Sequence, residues 1–127
     1  MVRREIKRAF FPAQPGRCDL RLRMALEGYI RDLPNVAAAD EAKVKSIRRK
    51  LRQLADVRIA LGDWQEFHSH YEKEKDAWRV EIYPNRESVC EETVWQDIRL
   101  ALGEEVRLVA KAFTWFVRVW VAFQVPR

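Results

Sequence analysis

The sequence predicts a mostly α fold, a small helical bundle around a long, largely buried C-terminal helix. Two stretches carry this expectation. From Glu104 to Val125 (EEVRLVAKAFTWFVRVWVAFQV) the polar residues Glu104, Arg107, Lys111, Thr114 and Arg118 fall three or four positions apart. That is the repeat of one thin stripe on an α-helix, and the positions beside it are almost all apolar. From Glu41 to Leu61 the apolar residues Val44, Ile47, Leu51 and Leu54 keep the same rhythm. The competing architecture is α+β, with a sheet from 64–83 and 104–125, because Val, Phe and Trp crowd the last stretch and favour strands. Polar residues on one face of a strand would keep even spacing, whereas here they pass from odd to even positions after Lys111. A helix apolar almost all round belongs at the centre of a fold or in a subunit interface.

Taken in order, residues 1–17 form a basic arm. Arg3, Arg4, Lys7 and Arg8 lead to Phe10 and Phe11, and the PAQPG run from Pro12 to Gly16 stops any helix. Asp19 is the N-cap expected for a first helix, from Leu20 to about Leu33, with Leu22, Leu26, Tyr29, Ile30 and Leu33 inward and Pro34 ending it. Asp40 caps the second helix, and Gly62 stops it. Asp63 is read as the cap of a third helix to about Asp76, with Trp64, Phe67, Tyr71 and Trp78 at heptad-like spacing. A hairpin competes there, with strands near 66–72 and 77–83, since AWRVEIY alternates apolar and polar residues. Ser88 with Glu91 has the pattern of a capping box for the last helical run, whose core residues are Val94, Trp95, Ile98, Ala101 and Leu102. Gly103 either kinks one long helix or separates two.

With 127 residues the chain is read as a single domain, 1–127, long enough to bury a core without staples. Apolar content of 48% with 34% charged residues excludes a disordered chain. No secretory leader is read at MVRREIKR, and Arg107, Lys111 and Arg118 argue against a membrane span in the apolar last stretch. The expectation is a cytoplasmic protein with no membrane contact. Cys18 and Cys90 allow one long-range bridge but no disulfide framework.

Few residues suggest chemistry. The two histidines stand in FHSHY as His68 and His70. On a strand such a pair points to one face and can hold a metal, with Cys18 or Cys90 completing the site. On a helix the rings diverge by about 200°, so the helical reading predicts no metal and no cofactor. The carboxylates are accounted for by caps and charged faces. The nearest arginine before His68 is Arg58, too distant for the Arg–His spacing of helical ribonucleases. ExxH, phosphate-loop and nucleophile-elbow patterns are all lacking. An enzyme is therefore not expected.

The charge distribution says more. Residues 1–62 hold 15 Lys/Arg against 7 Asp/Glu, and residues 63–127 hold 9 against 12, so the positive charge lies in the front half. Its densest part is one side of the second helix, Lys45, Arg48, Arg49 and Arg52, recurring every three or four residues. Such a row can follow a phosphate backbone. The expected function is a non-enzymatic binding module for RNA or DNA, contacting phosphates with weak sequence preference through this face and through Arg3, Arg4, Lys7 and Arg8. The alternative is a protein-binding adaptor or inhibitor whose basic face meets an acidic protein surface. Five tryptophans add an expectation of self-association or of membership in a larger complex, with Trp115, Phe116, Trp120 and Phe123 at the interface.

Overall fold

The computed structural model describes residues 10–11, 17–114 and 117–126. Its elements are β1 (Phe10–Phe11), α1 (Arg17–Arg31), α2 (Glu41–Ala60), β2 (Trp64–Glu72), β3 (Ala77–Pro84), α3 (Glu91–Leu102), β4 (Arg107–Thr114) and β5 (Arg118–Gln124). The fold is α+β. Four antiparallel strands stand in the order β4-β5-β3-β2, and β1 adds two residues in parallel at the end of β4. The helical bundle and the long C-terminal helix are overturned, and the competing sheet from 64–83 and 104–125 takes their place.

Packing explains why the last stretch carries no strand alternation. α2 and α3 cover one face of the sheet, with Val44, Ile47, Leu51, Val94, Trp95 and Ile98 against Trp78, Val80, Ile82, Val121 and Phe123. On the other face Leu26 and Ile30 of α1 cover Val109, Ala110, Ala112, Trp120 and Ala122. Strands buried on both sides read as continuous apolar runs. Two irregularities then imitate a helical period. Register shifts between Trp64 and Glu66 and between Leu108 and Ala110 insert an extra residue, so residues three apart share a face. Trp64 thus stacks on Phe67, ring centroids 5.9 Å apart, and Val109 joins Ala110 beneath α1. The polar residues of the former stripe divide between the faces and ends of a hairpin: Arg107 opens β4, Thr114 and Arg118 pair beside the turn, and Lys111 bonds Glu92 of α3.

The helices with one wet side follow the sequence closely. Asp40 caps α2, its Oδ1 accepting from the Lys43 amide at 2.8 Å, and Gly62 leaves the helix at φ +80°. α1 begins at Arg17, so Asp19 lies in its first turn rather than at its cap. α3 is capped by Cys90 instead of Ser88, with Thr93 Oγ1 accepting from the Cys90 amide at 3.0 Å, and it ends at Gly103, φ +111°. Val94, Trp95 and Ile98 are buried as expected, whereas Ala101 and Leu102 are only partly so; Val109, Phe113 and Trp120 are buried on strands rather than on a helix. The linker between α1 and α2 is pinned to the β2–β3 turn. Tyr71 Oη donates to Asp76 Oδ1 at 2.7 Å and accepts from the Ala39 amide at 3.0 Å, and Lys75 Nζ donates to the Leu33 carbonyl at 2.7 Å.

Candidate nucleic-acid interface

α2 holds seven Lys/Arg against two Asp/Glu, a surplus equal to the net +5 of the whole chain. Its apolar stripe turns Lys45, Arg48, Arg49, Lys50 and Arg52 outward, and all five are exposed. Beside them runs β2, the edge strand, whose outer side pairs with no strand among the described residues. Arg48, Arg49, Arg52, Phe67, His68 and Ser69 line one open cleft of about 500 Å³ between helix and edge.

The arginines are held as well as exposed. The Arg48 guanidinium lies 5.7 Å from the ring centre of Trp78, and that of Arg52 5.4 Å from Phe67. Such stacking stiffens a long side chain while its donors stay in water. Arg52 also bonds Asp56 at 3.1 Å, and Lys45 bonds Glu41 at 3.5 Å. These are exposed pairs that a phosphate can displace at little cost. Arg48 and Arg49 make no ion pair among the described residues.

Arg58, in the last turn of the same helix and half-buried, faces α3 rather than the basic row. Its Nε and Nη2 grip both oxygens of Asp97 at 2.9 and 2.7 Å, and Nη1 reaches Asp63 at 3.1 Å. Asp63 in turn meets Arg86 Nε at 3.0 Å. These hydrogen bonds to Asp97 hold the guanidinium above the ordinary arginine range, against the opposing pull of burial. The fork fastens α2 to α3 and to the start of β2.

Residues beyond the sequence prediction complete the cleft. Phe67, His68 and Ser69 stand there because 64–72 is a strand, and the only prior sign was the hairpin alternative. The proposed interface residues fare differently. Trp120 and Phe123 are fully buried, on opposite faces of the sheet, so neither offers a contact surface. Trp115 and Phe116, with Arg3, Arg4, Lys7 and Arg8, lie outside the described residues. Among the described residues, exposed apolar side chains gather at Val57, Leu61 and Leu100, the last 86% exposed, along the α2–α3 crossing, with Met24, Val36 and Ile59 exposed elsewhere.

On the sheet face shared with α1, the β2–β3 half carries charge. Arg79 bonds Glu27 at 3.1 Å, and Arg118 bonds Glu81 at 2.6 Å while lying 4.1 Å from the Tyr83 ring centre. Burial raises the Tyr83 phenol above its ordinary 10.0, although Arg118 opposes the shift. A raised phenol contributes fully to stability below the unfolded value, and that contribution disappears as pH rises through the folded one. Unfolding in urea across pH 9–12 is therefore expected to show a steeper alkaline loss for wild type than for Tyr83→Phe. Equal slopes would place the Tyr83 hydroxyl in ordinary solvent.

No helix among the described residues is long and apolar enough to cross a membrane. Comparison of the chain with models of known families, with curated proteins and with solved structures returned no match.

Proposed function

We propose that the chain is a non-enzymatic binding module that grips RNA or DNA through its phosphates, using the outward face of α2. The observation that carries this reading is the convergence of Arg48, Arg49 and Arg52 on one cleft, with Lys45 extending the row along the same helix. Arginine forks suit phosphate oxygens, and two of these are already oriented by aromatic rings. Contacts confined to the backbone position a nucleic acid without reading its sequence, so weak sequence preference follows.

Titration of labelled single- and double-stranded nucleic acid tests the reading. Affinity should fall on the order of a hundredfold between about 50 and 200 mM salt. Arg48→Gln/Arg49→Gln/Arg52→Gln should flatten the salt slope by about 3 and abolish binding at the higher salt. Gln is chosen over Glu because Arg48 and Arg52 cover Trp78 and Phe67, and a carboxylate there would disturb the fold. Absence of binding at low salt overturns the proposal.

A second reading has its own observation, the outer edge of β2 beside these cations, which pairs with no strand among the described residues. An extended acidic peptide could add a strand there, its backbone on β2 and its carboxylates on the arginines. Such a peptide, binding where nucleic acid does not, would select the adaptor reading.

A further inference from the structure

The change from helix to strand at 64–72 reverses the argument against the histidine pair. Glu66, His68, His70 and Glu72 (E-F-H-S-H-Y-E) alternate along β2 and therefore share one face. It is the face opposite Phe67 and Ser69, the one shared with α1: His70, Glu72 and Arg79 line a cavity with Glu27, Ile30 and Arg31 of α1, and His68, at the strand edge, also borders the α2 cleft. His68 and His70 are 57% and 58% exposed, each with a carboxylate on its outer flank. His68 Nε2 lies 3.7 Å from Glu66 Oε1, and His70 Nε2 lies 3.6 Å from Glu72 Oε2.

We propose that His68 and His70 form a two-point chelate for a divalent transition ion of the Zn²⁺, Ni²⁺ or Cu²⁺ class. Side chains two apart on a strand leave the backbone about 6.6 Å apart. A tetrahedral ion about 2.0–2.1 Å from each donor needs nitrogens roughly 3.3 Å apart, so two imidazoles leaning toward each other over Ser69 close the gap. The outer carboxylates then sit where each ring's other N–H points, the usual support of a metal-bound imidazole. Across β3, Glu81 faces His68 and Arg79 faces His70. Arg79 is already neutralised by Glu27, and Glu81 is engaged by Arg118. No group of three or more His, Cys, Asp or Glu forms a closed cage among the described residues. The site is therefore open, with water or one of the flanking glutamates filling the remaining positions. Imidazole donors with carboxylate neighbours favour these ions over Mg²⁺ or Ca²⁺.

The test is calorimetric titration of the full chain with Zn²⁺ alone and with Ni²⁺ alone. One ion per chain is expected. His68→Ala or His70→Ala should each weaken binding by about tenfold or more, and the double variant should lose it, whereas Glu66→Gln/Glu72→Gln should cost about tenfold. A Cys18→Ala/Cys90→Ala chain should bind as wild type does. The histidines stand on an exposed edge, so unchanged urea unfolding curves are expected for these variants. No binding at millimolar ion overturns the proposal. So does loss that follows the cysteines, or full retention in both single histidine variants.

Discussion

Trp120→Ala is expected to lower the unfolding free energy by about 3–5 kcal/mol, measured by urea denaturation. Trp120 stands on β5, between β4 and β3, and is fully buried. Its surroundings on the α1 face are mostly small: Ala77, Ala110, Ala112 and Ala122, with Leu26 and Ile30 above. One indole thus fills the space between helix and sheet. Four alanines have no atoms to move into the void, so relaxation should be limited and the cost should lie toward the upper end. For a domain whose whole stability is about 5–15 kcal/mol, this is a large share. If Trp120 were instead a contact residue, the substitution would change subunit assembly and leave the unfolding curve of the monomer in place.

Asp97→Ala is the second large effect, expected at about 2–3 kcal/mol. It removes both acceptors that the Arg58 fork uses and frees α2 from α3 at that point. Asp63 remains as a partner, and Arg58 can turn toward water, which keeps the loss below that of a sealed ion pair. Replacing both members, as Arg58→Met/Asp97→Leu, should recover most of the stability, because a desolvated pair and an apolar pair of similar size are often equivalent. A double variant as unstable as Asp97→Ala would mean that the Arg58–Asp63 contact carries the junction.

Where a segment touches water on one side, its structure was readable. The α2 stripe of Val44, Ile47 and Leu51, its Asp40 cap and its Gly62 stop all stand in the structure as expected, because each is a local property of the chain. Strands β4 and β5 have no wet face, so their pattern retained no memory of which period produced it. At 64–67 a single inserted residue turned a strand spacing into a helical one. The candidate site divided along the same line. The arginine row was visible on α2, whereas Phe67 and Ser69 reached it through an element misassigned from its spacing. The role of Arg58 in joining α2 to α3 depended on Asp97, 39 positions further on, and no local pattern could supply it.

The placement of β5 also bears on how the nascent chain matures. It is the last strand in order, yet it lies between β4 and β3, and Arg79–Ile82 have their partners in Val119–Ala122. Until β5 has been synthesised, the β2–β3 hairpin presents an inner edge with nothing to pair with, and β4 has no strand to join it to that hairpin. At ribosomal rates of about 5–20 residues per second, the forty residues between the end of β3 and the end of β5 take roughly 2–8 s. During that interval Val80 and Ile82 lie on an open strand margin, the kind of surface that chaperones shield and that crowded, slowly translated chains use to aggregate.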